Sequence, residues 1–374
     1  MTDRIRATAD GTRAFAEGSV SARGASPSSY RTACGLTVSS IGLGTYLGDA
    51  DDAVDLLYTE SVIEAVGLGC NVVDTAVNYR LQRSERAVGV ALGRLMASGR
   101  LDRTGIVVST KGGYVPFEGA PPATAGMLRE FLTTEYFDRG ICRPVDMASR
   151  GQHCMAPGYL DDQLRRSLAN LGLDAVDIYY LHNPECQLPE VGRDEFERRI
   201  RAAFERLEQH VADGRIGVYG TATWNGYRTD DGDSALSLAR LVALAREVGG
   251  ADHHFRAIQL PYNIGMTEAF ASFHQEHDGH AQSVLEVAAS LGVSVYASAS
   301  LLQSRLVDGL PPEVIAALGR RTHAQCALEF VRSTPGITCA LAGMARTAHV
   351  RENLELMAVP PAEGEAVAAM FVED

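Results

Sequence analysis

The chain has 374 residues, with 34 Lys and Arg against 47 Asp and Glu, a formal net charge of -13 and 46% apolar residues. This is an ordinary globular composition, which excludes fibrous, disordered and membrane-embedded classes. The acidic balance lacks the clustered positive charge that nucleic-acid partners require, so a small molecule is the expected partner.

The sequence predicts neither a membrane segment nor an export signal. No apolar run reaches the length of about 18 residues that a spanning helix needs, and the N-terminus has no continuous apolar stretch. Seven scattered cysteines without a C-x-x-C spacing favour reduced thiols over disulfides or a zinc site. We therefore expect a cytoplasmic protein with no membrane partner.

Two regions follow each other along the chain. Residues 1–29 are polar and rich in Ala, Ser and Gly, which predicts a flexible N-terminal lead-in without assigned function. From Ser39 onward, short apolar runs alternate with amphipathic segments, the pattern of repeated βα units. Eight candidate strands occur, at 41–47, 71–76, 106–113, 175–183, 216–224, 255–263, 293–300 and 337–344.

Eight such units predict an α/β fold, a single (β/α)8 TIM barrel over residues 30–374. The competing doubly wound sheet would carry a G-x-G-x-x-G turn after its first strand. Gly42, Gly44 and Gly48 have the wrong spacing for that turn. A barrel is therefore favoured.

One long insertion, residues 114–158, follows the third strand. It contains five prolines and one predicted helix near 127–138. Loops of this length are usually functional, so we expect a lid or a wall of the substrate pocket, although a decorative insertion is the alternative. Its aromatic residues would supply apolar surface; they are Phe117, Phe131, Tyr136 and Phe137.

Polar side chains fall near the carboxyl ends of three consecutive predicted strands. Asp74 ends the second strand, and Tyr79 follows in its loop. Lys111 ends the third strand and His182 the fourth. Because side chains at these ends converge on the mouth of a barrel, we expect a carboxylate, a phenol, an ammonium and an imidazole in one corner. That set suits proton transfer to a developing alkoxide.

Each group has a chemical reason to be there. A phenol has a pKa of about 10, so Tyr79 needs its anion stabilised, and the ammonium of Lys111 would do this. Asp74 would keep that ammonium charged, and His182 could polarise a carbonyl. Lys111 is also the one lysine beside 33 arginines. Taken singly, Asp74 could cap a turn, and Tyr79 could be an aromatic residue with its hydroxyl in solvent. Lys111 could have been retained by chance, and His182 could be an ordinary histidine at a strand end. The prediction therefore depends on their joint placement.

Four segments in order resemble the aldo-keto reductase superfamily: DTAVNYRLQRSERAVGVAL (74–92), VVSTKGG (107–113), IYYLHNPE (178–185) and GMARTAHVRENL (343–354). The resemblance covers residues from about 38 to 357. It implies a (β/α)8 barrel that binds NADPH, or less often NADH. It also implies a catalytic tetrad of Asp74, Tyr79, Lys111 and His182, with hydride transfer to an aldehyde or ketone while Tyr79 protonates the oxygen.

The same resemblance implies a cofactor site. The residues expected around the nicotinamide are Gly44, Thr45, Asn183 and Gln259. Those expected beside the pyrophosphate are Ser300, Leu301 and Gln303. The adenosine end would meet Gly343, Met344, Arg346, His349, Glu352 and Asn353, at a helix start where free N–H groups attract phosphate.

Three departures from the family pattern concern cofactor binding. A Ser-Asn pair that commonly holds the carboxamide is replaced by Ala222 and Thr223, and a stacking aromatic by Ser298. Cations that often meet the adenosine 2′-phosphate are replaced by Gly343 and His349, which leaves Arg346 as the nearest cation. NADPH is the expected cofactor, with NADH possible.

Other features complete the prediction. Tyr46, Trp224 and Phe117 are expected to line the substrate pocket. The histidines of FHQEHDGH lack a completing ligand, so no metal site is expected.

Two alternatives to a carbonyl reductase remain: a dinucleotide-binding sensor or scaffold with negligible catalysis, and a redox-neutral lyase, dehydratase or epimerase. The identity of the substrate and the oligomeric state are left open.

Overall fold

The computed structural model describes residues 4–371, without the side chains of 366, 368 and 369; the ends of the predicted lead-in (1–3) and barrel region (372–374) lie outside the described residues. Eight parallel strands close into a barrel in which each pairs with its neighbours in chain order. They are β1 (Ile41–Gly44), β2 (Val72–Asp74), β3 (Val107–Gly112), β4 (Val176–His182), β5 (Ile216–Ala222), β6 (Phe255–Pro261), β7 (Ser294–Ser298) and β8 (Ile337–Gly343).

The predicted (β/α)8 barrel is confirmed by this strand order. Each observed strand lies inside the predicted run, because the apolar signal continues for one to three residues into the loop that follows. Parallel strands covered on both faces require such nearly continuous apolar sequence. The register places Asp74, the last residue of β2, beside Ser109 of β3.

Helices cover the outside of the barrel. After the eight strands in turn come Asp52–Gly67, Arg83–Ala97, Pro157–Leu171, Arg193–Ala212, Leu238–Gly249, Val284–Ser290, His323–Ser333 and Thr347–Leu354. Additional helices are Ala125–Leu132, Leu188–Val191, Glu268–Ala271, Pro312–Leu318 and Gly364–Ala368. Their inner faces pack on the strands in one core, with Leu43, Val88 and Leu164 buried.

Within residues 4–371, no helix has the length and apolarity to span a bilayer.

A hairpin closes the amino-terminal end of the barrel. Its strands, Tyr30–Ala33 and Leu36–Ser39, pair in antiparallel fashion. Ala33 and Val38 are buried against interior residues that include Val72 at the start of β2. Because this end is packed with side chains, the opposite, carboxyl end of the strands is the end that carries the ligand-sized cavity.

The lead-in is not the flexible segment that the sequence predicted. Residues Ala9–Arg23 form a helix whose N-cap is Thr8. The side chains that this helix buries are all small: Thr12, Ala16 and Ser19. Its sequence therefore shows no apolar period, and the helix was not predicted. Gly11 allows close packing on the barrel, because a Cβ there would lie 2.3 Å from Thr104 Oγ1.

Asp177 of β4 anchors the lead-in to the barrel. Its carboxylate accepts hydrogen bonds from the backbone N–H of Ala7 (2.6 Å) and of Val108 (2.7 Å). It also forms an ion pair of 2.9 Å with Arg103, and both side chains are almost completely buried. The carboxylate therefore satisfies a buried cation and two buried donors together.

Asp177→Ala should destabilise the protein by about 3–5 kcal/mol, because it leaves the buried guanidinium without a counter-charge. Urea unfolding followed by far-UV circular dichroism measures this loss. Asp10→Ala removes an exposed ion pair with Arg13 in the lead-in and is the matched control, expected to change the free energy of unfolding by less than about 1 kcal/mol. Equal effects of both substitutions would contradict the anchoring role.

Candidate active site

A cavity of about 430 Å³ opens at the carboxyl end of the barrel. Three of the four predicted catalytic residues line it: Asp74, Tyr79 and His182. The fourth, Lys111, is fully buried directly behind them. The barrel geometry thus brings together the four groups that lie up to 108 positions apart in sequence (182 minus 74).

Asp74 and Lys111 form a buried ion pair. Lys111 Nζ donates to Asp74 Oδ2 at 2.7 Å and to the backbone oxygen of Thr75 at 2.8 Å. The other carboxylate oxygen, Oδ1, accepts from Ser109 Oγ (2.7 Å) and Gln259 Nε2 (2.8 Å). Burial lowers the pKa of Lys111, and the charge of Asp74 opposes that shift.

Tyr79 lies over this ion pair. Lys111 Nζ is 4.8 Å from the centroid of the phenol ring, a cation–π distance. The pKa of Tyr79 is raised well above its usual value, first by burial and then by the negative charge of Asp74. The sequence predicted instead that the ammonium would draw this pKa toward neutrality. In the structure the phenol keeps its proton at neutral pH.

An unusual turn holds Tyr79 in place. Arg80, Leu81 and Gln82 all have left-handed backbone conformations, with φ of 47°, 57° and 69°, although none is glycine. Such strain persists only where surrounding contacts impose it. Arg80 donates to the backbone oxygen of Asp49 (2.9 Å) and to the carboxylate of Asp55 (2.7 Å). The sequence prediction missed this turn because no glycine marks it.

His182 is the imidazole of the site. Its ring centroid lies 5.8 Å from that of Tyr79 and 5.1 Å from that of Tyr114. Its pKa is lowered well below the usual value by burial and then by the positive charge of Lys111, so the ring is neutral at neutral pH. Nδ1 is buried without a hydrogen-bond partner among the described residues.

Most of the residues predicted to hold a cofactor line the same cavity: Gly44, Thr45, Asn183, Gln259, Ser300, Leu301, Gln303 and Gly343. The amide nitrogen of Gln259 is already bound to Asp74, so its carbonyl oxygen is the group it can offer a ligand. Between 299 and 304, four residues that are not glycine have positive φ: Ala299, Leu302, Gln303 and Ser304. This segment is held in a strained, preformed turn beside the cavity.

The remaining cofactor candidates lie at or near the helix Thr347–Leu354. Met344 does not offer its side chain to a ligand, because it is completely buried in the main core. Arg346 is the N-cap residue of this helix, with no side-chain capping bond, and both Arg346 and His349 are exposed. Glu352 is partly buried and Asn353 buried. Free N–H groups and the exposed guanidinium of Arg346 therefore remain available at this helix start.

The rim of the cavity is aromatic. Tyr46 and Trp224, both predicted pocket residues, line it and are 56% and 40% exposed. Phe117 does not line it, because its ring packs on Phe131 at 5.4 Å within a separate apolar cluster of the insertion. Tyr114 is the cavity-lining residue that the described insertion contributes, and no sequence pattern assigned it this role.

Small and unpartnered groups line the inner part of the cavity. Ala222 and Ser298 line it with small side chains. Thr223 Oγ1 and Asn78 Oδ1 are buried without a hydrogen-bond partner among residues 4–371. Since buried polar atoms normally find partners, these atoms fit a site that receives a polar ligand.

No group of three or more His, Cys, Asp or Glu residues able to hold a metal ion occurs in the described part of the chain.

Fold and site together define a (β/α)8 barrel protein with a carboxylate, an ammonium, a phenol and an imidazole around one carboxyl-end cavity. The model of the aldo/keto reductase family matches residues 40–309, and the chain belongs to this family.

Individual relatives are distant. An NADH-specific methylglyoxal reductase of Escherichia coli (strain K12) is 28% identical over 155 residues, 39% of this chain and 39% of that protein. A probable voltage-gated potassium channel subunit beta of Arabidopsis thaliana is 24% identical over 87% of this chain and 90% of its own length. A crystal structure of an aldo/keto reductase from Klebsiella pneumoniae with NADP and acetate has a TM-score of 0.58 at 22% identity, covering 92% of this chain and 94% of that one.

Asp74→Asn should destabilise the protein at pH 7 by about 3–5 kcal/mol, since Lys111 would be buried without a counter-charge. The pKa of Lys111 would fall further, so the native state would bind fewer protons than the unfolded chain up to the ordinary pKa of about 10.4. The loss in free energy of unfolding, relative to the wild type, should therefore shrink between pH 7 and pH 10. Urea unfolding at both pH values measures it.

Ser109→Ala is the matched control for this prediction. It removes one hydrogen bond, from a hydroxyl to the same carboxylate, and leaves the ion pair intact. We expect a loss of about 1.5–3 kcal/mol that does not change between pH 7 and pH 10, because the charge of Lys111 remains paired. If Asp74→Asn behaved in the same way, the ion pair would not stabilise the site.

Proposed function

We propose that the protein is an NAD(P)H-dependent carbonyl reductase that uses Tyr79 as the general acid. One observation carries the proposal: a phenol whose pKa is raised borders the cavity, with a buried ammonium 4.8 Å from its ring. Reduction of an aldehyde or ketone needs an acid that is protonated at neutral pH and a cation that stabilises the anion left behind.

The cavity fits a nicotinamide dinucleotide. The unpartnered Thr223 Oγ1, the carbonyl end of Gln259 and the side chain of Asn183 provide polar groups for a carboxamide. The strained turn 299–304 and the start of helix Thr347–Leu354 provide backbone N–H groups for phosphates. When bound, the reduced nicotinamide supplies the hydride.

The residues of the chain perform the remaining steps. The neutral ring of His182 orients the carbonyl oxygen of the substrate by hydrogen bonding. Tyr79 Oη donates its proton to that oxygen as negative charge develops on it. The ammonium of Lys111 stabilises the resulting phenolate, and Asp74 keeps the ammonium charged at neutral pH. The aromatic rim of Tyr46 and Trp224 excludes water from the reacting oxygen.

Tyr79→Phe tests the assigned acid. Bound NADPH should be oxidised by 4-nitrobenzaldehyde at least about 100-fold more slowly, because general-acid catalysis of this kind contributes two to four orders of magnitude. The dissociation constant of NADPH should change less than about threefold. Stopped-flow absorbance measures the rate and protein fluorescence the affinity. Tyr46→Phe, at the exposed rim, is the matched control, and equal rates for both variants would contradict the assignment.

The preferred cofactor is proposed to be NADPH. Arg346 is the exposed cation at the helix that would meet the adenosine end, and a guanidinium binds phosphate with charge-assisted hydrogen bonds. The Klebsiella pneumoniae structure holds NADP, whereas the Escherichia coli relative is NADH-specific. Binding of NADH therefore remains part of the proposal.

Arg346→Ala tests this preference. It should weaken NADPH binding about tenfold or more and leave NADH binding almost unchanged, because only NADPH carries the 2′-phosphate. Isothermal titration with each dinucleotide measures both constants. Arg351→Ala is the control on the same helix, where the guanidinium is already paired with Glu64 at 2.6 Å. A similar loss for both dinucleotides would exclude recognition of the 2′-phosphate by Arg346.

A second candidate function is a dinucleotide-binding regulatory subunit with negligible turnover. The replacement of the carboxamide pair by Ala222 and Thr223 and the likeness to potassium channel beta subunits favour it. The two functions differ in one measurement. A regulatory subunit would bind NADPH and fail to oxidise it on mixing with a reactive aldehyde, whereas the reductase would complete a turnover.

A further inference from the structure

One histidine of the insertion reaches the catalytic strand. His153 lies on a short hairpin, Met147–Ala148 with His153–Cys154, and is 1% exposed. Its Nε2 lies 2.8 Å from the backbone oxygen of His182, and its Nδ1 lies 2.9 Å from the amide nitrogen of Gln187. His153 does not line the cavity, so any effect it has on the site must act through a neighbour, and His182 is the cavity residue to which it is hydrogen-bonded.

The direction of each hydrogen bond follows from chemistry. Arg199 Nη1 contacts Gln187 Oε1 at 3.0 Å, and a guanidinium only donates, so the oxygen of the amide faces Arg199. The NH2 group of Gln187 therefore faces His153 Nδ1, which must accept. The proton of the neutral ring is then on Nε2 and is donated to the oxygen of His182. Burial lowers the pKa of His153 to about 4, which keeps the ring neutral.

The accepting oxygen belongs to the peptide between two cavity residues, His182 and Asn183. Asn183 has a left-handed backbone, with φ of 47°, and its N–H donates to the oxygen of Ala222 at 2.6 Å. The two ends of this peptide are thus fixed by different elements, one by the barrel and one by the insertion. Rotation of the peptide would turn both side chains in the cavity.

The local packing admits His153 at this position. Gly113 follows β3, and a Cβ there would lie 2.7 Å from His153 Nε2 and 3.0 Å from the oxygen of His182. The backbone N–H of Cys154 donates to the oxygen of Gly113 at 2.9 Å. The ring of Tyr114 stands edge-on between His153 and His182, at 5.1 Å from each. The histidine is therefore seated in a gap that only glycine leaves open.

We propose that His153 is a positioning residue for the reduction, because its Nε2–H fixes the peptide that orients His182 and Asn183 in the cavity. The inference rests on the proposed function for its kinetic consequence. The hydrogen-bond relay from Arg199 through Gln187 to His153 makes the insertion part of the catalytic framework. His153 holds His182 in place and takes no part in the proton transfer itself.

The main experiment compares His153→Leu with His153→Gln in the full chain. Leucine removes the donor, whereas the amide nitrogen of glutamine can take the place of Nε2–H. For His153→Leu, the rate of bound NADPH oxidation by 4-nitrobenzaldehyde should fall about 10- to 100-fold with little change in NADPH affinity. His153→Gln should recover most of that rate. Gln152→Leu, at the exposed neighbouring position on the hairpin, is the matched control and should retain the wild-type rate.

Imidazole NMR of protein labelled with ¹⁵N-histidine gives a readout that does not require turnover. Wild-type His153 should show a proton on Nε2 and none on Nδ1, and the His182 signals should shift in His153→Leu but not in Gln152→Leu. If the wild type oxidises no NADPH, the proposed function fails, and these shifts still decide the positioning role. Unshifted His182 signals, or equal rates for the leucine and glutamine variants, would overturn the inference.

A milder variant covers the case in which His153→Leu does not fold. Gln187→Met keeps the size of the side chain and removes both the donor to Nδ1 and the acceptor for Arg199, so the oxygen of His182 alone holds the ring of His153. We expect the Nε2–H tautomer to persist, because that oxygen can only accept, and the rate of NADPH oxidation to fall several-fold because the ring is held less firmly. A proton on Nδ1, or the wild-type rate, would count against the relay.

Discussion

A buried charge pair is the constraint on which this site depends. Lys111 is fully buried, and a lone ammonium in that position would cost several kcal/mol, so the fold must supply an anion within hydrogen-bond distance. Parallel pairing of β2 and β3 supplies it, because the strand ends bring Asp74 within 2.7 Å of Nζ. Ser109 and Gln259 then occupy the second carboxylate oxygen and fix the orientation of Asp74.

The same pair divides the protonation states around the cavity. Burial and the charge of Asp74 raise the pKa of Tyr79, while burial and the charge of Lys111 lower the pKa of His182. Both neighbours are therefore neutral, one able to give a proton and one able to orient an oxygen. Because both neighbours of the paired Lys111 are neutral, the site buries no further charge, which explains how a phenol and an imidazole lie together in a partly buried site.

The features that the sequence predicted are those that depend on the alternation of apolar and polar residues. All eight strands and the convergence of Asp74, Tyr79, Lys111 and His182 follow from that alternation and from barrel geometry. The helix Ala9–Arg23 could not be predicted because its buried face consists of small residues. The sequence did not predict that the side chain of Met344 is buried in the core or that Phe117 packs away from the cavity, because sequence spacing does not set the direction of a side chain in a loop. Contacts such as His153 with His182 depend on long-range packing that no local pattern encodes.

The contacts of the insertion favour a wall over a lid. Glu118 pairs with Arg86 through both carboxylate oxygens, Arg199 donates to the backbone oxygen of Val145, and His153 is buried against β4. A lid must break its contacts at each turnover, and opening here would expose a buried histidine and strip the oxygen of His182 of its donor. An insertion fastened on both flanks and hydrogen-bonded to β4 is better suited to a fixed wall than to a lid.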